Sequence, residues 1–342
     1  MRTIDLRSDT VTKPDRGMLE AMMAAEVGDD VFGEDPTALR LQEMVADLLG
    51  KEEALFVPTG TMCNQIAVRL HTSPSNEVLL DAGSHIRNYE GAAAAALSGV
   101  QLFPIQGERG ILTAAQVEAS IRTGHEWEPI PRLLCVENTH NKAGGTVYPL
   151  ERLLELGAVA RKHNLGYHMD GARIWNAAVA SGQSERSIAE PFDTVSVCLS
   201  KGLGTPLGSV LAGSKEIMTH ARRYRKLFGG GMRQIGFVAA AGIYALDNNR
   251  SALSLDHQKA QTLARGLASF SCVSITLANV ETNIVIFDVS DGRTAPQVLT
   301  DLSKNGVRMI QFGPTTIRAT THRDVSLEDI EYALERAQSV LN

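Results

Sequence analysis

The sequence predicts an α/β protein with an open, mostly parallel sheet and a compact α+β unit at its C-terminal end. Three observations carry that expectation. Short apolar, β-rich segments alternate with amphipathic helical stretches over the first two thirds of the chain. Each apolar segment stops at a polar or glycine-bearing loop, and in an open parallel sheet such loops collect at one edge. Beyond Asn248–Arg250 the order changes to a helix, a strand, a helix, two strands and a closing helix.

Taken in order, Ile4–Thr12 (IDLRSDTVT) is too polar for a core strand and is expected to lie across another surface. Pro14 opens a helix with Met18, Leu19, Met22 and Met23 on one face, ending near Val27. Val31 and Phe32 sit in a turn-rich loop that a ligand or partner could cover. A helix over Pro36–Leu49 stops at Gly50, and Ala54–Val57 is a strand. The turn Pro58–Thr61 leads into a helix over Met62–Leu70, so the backbone N–H groups of Gly60 and Thr61 face outward at a helix start, where anions bind. Such a turn by itself is more often structural, and no Gly-Lys-Ser/Thr follows to make a P-loop. Glu77–Asp81 is a strand followed by a loop with His85, and Tyr89-Glu90-Gly91 then leads into Ala92–Leu97. Val100–Ile105 is a strand and Thr113 caps a helix to Ile121. Arg132–Glu137 is a strand ending at Asn138-Thr139-His140-Asn141, and Pro149–His163 is an amphipathic helix. The strand Gly166–Met169 ends at Asp170-Gly171-Ala172-Arg173, and Val195–Leu199 ends at Ser200 and Lys201. Helices follow over Ser214–Tyr224 and from Arg233 to Ala245. In the last part Leu263, Leu267 and Phe270 mark a helix, Asn283–Val289 a strand, Ala295–Lys304 a helix, Val307–Ile310 and Thr316–Thr321 strands, and Ser326–Leu341 a helix with a capping box at Ser326 and Asp329. Alternation on TIRATT turns Arg318 away from the core, toward solvent or toward a carboxylate that it clamps. The expected division is an N-terminal segment, 1–35, packing on the large domain and a subunit interface, a large domain over 36–249 and a small domain over 250–342.

At 342 residues the chain has room for a substantial core, and its net charge of −6, with no concentrated basic block, argues against a nucleic-acid surface. A small-molecule partner fits better. Cys63, Cys135, Cys198 and Cys272 are far apart and form no Cys-x-x-Cys pair, so they read as buried reduced thiols and no metal site is expected. The start of the chain lacks an apolar segment of signal-peptide length, and no run approaches ~18 apolar residues, which places the protein in the cytoplasm and off the membrane.

Five loops therefore converge, carrying Gly60/Thr61, His85, Asn138/His140, Asp170/Arg173 and Ser200/Lys201. Lys201, taken alone, reads as a solvated loop lysine. Together with the others it matches what pyridoxal 5'-phosphate requires: an amine for its aldehyde, an aspartate beside its ring nitrogen, a helix start for its phosphate, an arginine for the substrate carboxylate and a histidine near the ring.

The blocks IDLRSDTVT, GDDVFGEDPT, PTGTMCN, ENTHN, HMDGAR, SKGLGTPLGS and GGGMRQ span nearly the whole chain and resemble the low-specificity L-threonine aldolases. That resemblance implies an aspartate-aminotransferase-like fold (fold type I) with a central, mostly parallel seven-stranded sheet and a small C-terminal α+β domain. It implies a lyase that uses pyridoxal phosphate to cleave L-threonine, L-allo-threonine and related β-hydroxy-α-amino acids to glycine and an aldehyde, acting as a tetramer or dimer with shared sites. Carried over by position, Lys201 is the Schiff-base lysine with Ser200 beside it, Asp170 pairs with the ring nitrogen, Gly60 and Thr61 hold the phosphate, and His85 stacks on the ring. Ser8, Arg173 and Arg318 hold the substrate carboxylate, and Arg173 also reaches the ring oxygen. Lys226 and Arg233 approach from a neighbouring subunit. His140 lies near the β-hydroxyl, and His85 or His140, directly or through water, is its base. The sequence departs from the family at Phe32, where many relatives carry tyrosine, and around HIRNYEGAAA, where Arg87, Tyr89 and Glu90 belong to the aldehyde-side wall. A β-eliminating lyase or aminotransferase on the same scaffold is the nearest alternative, and a non-catalytic cofactor-binding protein a distant one.

Overall fold

The computed structural model describes residues 2–342. A two-residue strand, β1 (Ile4–Asp5), precedes α1 (Arg16–Met23), whose start is capped by the Asp15 carboxylate accepting the Met18 N–H. Next, α2 (Pro36–Leu49) has Asp35 as its cap and stops, as its sequence predicts, at Gly50, which is in the left-handed region. The chain then alternates through β2 (Glu53–Val57), α3 (Gly60–His71), β3 (Asn76–Asp81), α4 (His85–Asn88), β4 (Gln101–Ile105), α5 (Ala114–Ala119) and β5 (Ile130–Glu137). It continues through α6 (Leu150–Lys162), β6 (Gly166–Gly171), α7 (Ile174–Ser181), α8 (Glu185–Ala189), β7 (Thr194–Cys198), β8 (Ser209–Gly213), α9 (Lys215–Leu227) and α10 (Gly236–Asn248). The C-terminal part holds α11 (Leu253–Leu267), β9 (Val273–Ser274), β10 (Ile284–Val289), α12 (Ala295–Lys304), β11 (Val307–Arg308), β12 (Ile310–Gln311), β13 (Thr316–Thr320) and α13 (Leu327–Leu341).

Seven strands form the main sheet in the order β2-β8-β7-β6-β5-β3-β4. The run β7-β6-β5-β3-β4 is parallel throughout. Strand β8 is antiparallel to both its neighbours, so β2 points the same way as the parallel run and its C-terminal end reaches the same edge. The sequence reading had no strand at β8. Its five residues, SVLAG, are all buried, so the segment shows neither the alternation of a half-exposed strand nor a polar boundary. After α4 comes a left-handed turn at Gly91 and Ala92, followed by a short π-helical turn, Ala94–Ser98, ending at Gly99. All four cysteines are free and buried, and no helix among the described residues is long and apolar enough to cross a membrane.

Two main cores divide the interior. One packs a single face of the large sheet, from Met18 to Leu253, while two smaller clusters around Ile66 and Val78 cover the opposite face, and the other main core joins α11, β10, β13 and α13. Ile4 and Leu6 belong to the second core, because β1 pairs in parallel with β11. The opening segment, expected on the large domain, therefore bridges: Ile4 and Leu6 lie with the C-terminal unit and Met18 with the large sheet. Helix α10 approaches closely through Gly242, where a Cβ would stand 3.0 Å from Leu41 and 3.1 Å from Leu199. This contact seats the residue two before Lys201.

Candidate active site

Strands β2, β3, β5, β6 and β7 deliver their C-terminal loops to one cavity of about 290 Å³. Gly60 and Thr61 enter from β2, His85 from β3, Asp170 and Arg173 from β6, and Ser200 and Lys201 from β7. The lysine's turn is pinned on both sides: the Gly204 N–H and the Thr12 hydroxyl each donate to the Lys201 carbonyl at 2.9 Å. Gly204 holds φ at +83°, and a Cβ there would meet Arg323 at 2.7 Å, so glycine is required by conformation and by space.

Asp170 is buried, and its Oδ2 accepts from Asn64 Nδ2 at 2.8 Å while Oδ1 accepts the Ala172 N–H at 3.1 Å. Burial favours the protonated acid, but the positive field of His85 and Lys201 and the Asn64 hydrogen bond outweigh it, so the carboxyl titrates below its ordinary range and stays ionised. Arg173 is locked in a bidentate pair with Asp9, Nε to Oδ2 at 2.7 Å and Nη2 to Oδ1 at 2.8 Å. Arg318, 7% exposed on β13, differs: its Nη1 donates to Asn141 Oδ1 at 2.8 Å and its Nη2 to the Arg7 carbonyl at 3.1 Å, and among the described residues Nε has no hydrogen-bond partner and no carboxylate pairs with the guanidinium. Burial first, and Arg173 second, push it down to about 10, which leaves it charged at neutral pH. A desolvated guanidinium hydrogen-bonded only to neutral acceptors is suited to receive an anion.

The residues also fit pyridoxal phosphate on the structure's own terms. Gly60 opens a twelve-residue helix whose first N–H groups have no intrahelical partner, and a Cβ on Gly60 would meet only Ser209 Oγ, at 3.6 Å. The fold does not itself require glycine there, whereas a phosphate approaching the bare backbone does. Asp170 offers an ionised carboxylate to the same space that holds the Lys201 amine, with no protein cation hydrogen-bonded to it.

A model of the beta-eliminating lyase family matches residues 5–291. The chain belongs to that family. It is 44% identical to a probable low-specificity L-threonine aldolase 2 of Arabidopsis thaliana, over 100% of this chain and 98% of the relative. It is 43% identical to the low specificity L-threonine aldolase of Escherichia coli (strain K12), over 96% of each. By fold it superposes on a Leishmania major threonine aldolase with a TM-score of 0.84, covering 99% of both chains at 21% identity.

The beta-eliminating lyase fold brings Gly60, Thr61, His85, Asp170, Arg173, Ser200 and Lys201 together around the cavity. Several residues expected beside them lie elsewhere. His140 is 1% exposed behind the cavity wall, its Nε2 3.0 Å from Asp81 and its Nδ1 accepting from the Ala143 N–H. The ring fills the space over Gly110, where a Cβ would stand 2.3 Å away, so the wall closes over it. Glu90 faces inward beneath His85 instead of lining an aldehyde wall, while Tyr89 is 47% exposed with its ring 5.5 Å from the His85 ring. The Ser8 oxygen accepts from the Thr10 N–H and caps the short turn Asp9–Val11. Arg173 has its fork on Asp9 and only Nη1 toward Asn141, at 3.5 Å, so it does not share a free carboxylate clamp with Arg318. Arg318 itself is buried beside the site instead of facing solvent. Lys226 and Arg233 are exposed and line no part of the cavity within one chain.

Four residues escaped the sequence reading: Asp9, Asn64, Glu137 and Asn141. Asn64 left a signal, since a buried amide between Cys63 and Ile66 breaks an otherwise apolar helix face. Glu137 accepts the His85 N–H at 2.6 Å and the Asn141 N–H at 2.8 Å, holding two loops at once. A glutamate at a strand end does not announce that task.

Proposed function

We propose that the protein is a pyridoxal phosphate-dependent aldolase that cleaves L-threonine, L-allo-threonine and related β-hydroxy-α-amino acids to glycine and an aldehyde. The observation that carries the reading is that Lys201, ionised Asp170 and the Gly60–Thr61 helix start share one cavity in a chain 44% identical, over its full length, to its Arabidopsis relative. Bound there, the cofactor supplies an electron sink for the pair released when the Cα–Cβ bond breaks. The chain's residues do the rest. Lys201 offers its amine, and Asp170 holds a proton at the ring nitrogen's position. Arg318 binds the substrate carboxylate and so orients the bond to be broken. His85 lines the cavity with Nδ1 on Glu90, which leaves Nε2 to take the β-hydroxyl proton. His140, sealed against Asp81, lacks that access.

We read the active unit as an oligomer. Phe32 and Leu227 are more than 70% exposed, and Lys226 and Arg233 are exposed in the segment around Leu227, Arg233 held at 3.5 Å by Asp29, an arrangement suited to a second copy contributing cations to the site. A reducing, cytoplasmic compartment fits the four free cysteines.

Incubating the protein with L-threonine and coupling acetaldehyde to alcohol dehydrogenase tests the reaction. Acetaldehyde with equimolar glycine supports it. A 2-keto acid in place of glycine identifies the eliminating or transaminating alternative.

A further inference from the structure

We propose that Glu90 is a positioning residue which, through the shared amide of Asn64, joins His85 to Asp170 and turns His85 Nε2 to the cavity. Its side chain is fully shielded from solvent and receives three donors: His85 Nδ1 at 2.8 Å and Asn64 Nδ2 at 2.7 Å on Oε1, and Gln65 Nε2 at 2.6 Å on Oε2. The same Asn64 nitrogen lies 2.8 Å from Asp170 Oδ2. The oxygens of both carboxyl groups stand as acceptors toward this nitrogen, so the contacts fix the amide's orientation: both N–H bonds go to carboxyl oxygens. Its oxygen then faces Ser196 Oγ at 2.8 Å and His168 Nε2 at 3.2 Å.

The backbone is bent to make this contact. Directly after Glu90 the chain passes through two left-handed residues, Gly91 at φ +60° and Ala92 at +58°. For alanine that conformation is unfavourable, and it persists where surrounding contacts hold it. Here it sends the Glu90 carboxylate under the His85 ring instead of along the cavity wall.

The charged and titratable groups facing His85 are Glu90, Asp170 from β6, Glu137 from β5, Lys201 from the β7 turn and the phenol of Tyr89. Burial disfavours the imidazolium, but the Glu90 hydrogen bond and the fields of Asp170 and Glu137 raise the histidine's titration above its ordinary value. With Nδ1–H donated to Glu90, Nε2 is the ring nitrogen that gains or loses the proton on the cavity side. The inference rests on the proposed reaction for its catalytic meaning, but its physical content does not.

The test is the titration of His85 in histidine-labelled, full-length protein by NMR, assigned with His85→Asn and recorded with and without pyridoxal phosphate, in the absence of substrate. Glu90→Gln is expected to lower the midpoint by about one unit, the scale of losing an adjacent opposite charge. Glu90→Asp keeps the charge but lengthens the contact and falls between, so it carries the test should the glutamine variant fail to fold. The acidic limb of kcat/KM moves with the midpoint. Equal midpoints in all three proteins overturn the proposal, as does a fall in kcat with no movement of the midpoint. A shifted midpoint in a protein that releases no aldehyde from threonine supports the relay and removes the proposed reaction instead.

Discussion

The two sides of the cleft hold charge in opposite ways. On the large sheet's edge the charges are matched: Asp170 by the positive fields of His85 and Lys201, Arg173 by Asp9, His85 by Glu90. Across from it, β13 of the small sheet carries Arg318, as deeply buried but with only neutral acceptors. The matched charges are fixed by the protein and define geometry; the unmatched one is left for a ligand. A buried cation is costly without an anion, which is the physical ground for the proposal that Arg318 receives the substrate carboxylate.

The largest effect expected is that of Lys201→Ala, which removes the amine around which the matched side is arranged. Turnover is expected to fall on the order of 10⁴-fold or more. The reduction-trapped cofactor adduct disappears from the mass spectrum, and an adduct persisting at another lysine would displace the assignment.

Second, Asp9→Asn should unmatch Arg173 and so turn one side of the cleft into a copy of the other. Breaking a buried pair this way costs about 3–5 kcal/mol of stability, read from denaturant melts. In the wild type, Arg173 and Asn283 hold the Asp9 carboxyl far below the ordinary range despite its burial. A depressed folded-state value contributes stability above the ordinary carboxylate range and loses it as pH falls through the folded value. The two proteins should therefore converge in stability only in strong acid. Convergence near neutrality would mean that the pair is not what holds Arg173.

Third, Arg318→Ala should reduce kcat/KM for threonine roughly 100-fold, mostly through KM, as expected for loss of a charge-assisted bond. Cofactor absorbance should be retained. Its loss would place Arg318 on the cofactor side and erase the contrast.

The smallest effect is expected at His140, a histidine matched like His85 but closed off from the cavity. Burial opposes its charged form, while Glu137, Asp81 and Asp170 outweigh burial and raise its titration. Its contribution to stability is then full below the ordinary histidine value, about 6.5, and lost as pH rises through the higher folded-state value. His140→Asn should narrow the pH dependence of the melting temperature on that alkaline side and slow turnover less than His85→Asn does. A larger catalytic loss at His140 would overturn the division of roles.

Much of this arrangement was legible in the residues. The caps at Thr113 and Ser326, the stop at Gly50 and the strand-end position of Lys201 are local events, decided within a few residues of chain. The buried strand β8 was not, because five small or apolar residues carry no period. Nor was the fate of each polar loop residue: His85 and His140 both follow strands, yet one ring enters the cavity and the other is shut behind Gly110.

What the sequence by itself determined is the order of strands, helices and reactive loops, since propensity, capping and periodicity act over a few residues. Only the tertiary structure decided which charges would meet. Asp9 lies 164 residues from Arg173, and Asn141 lies 177 from Arg318. Partners so distant in the chain are chosen by packing, and it is packing that left Arg318 without an anion.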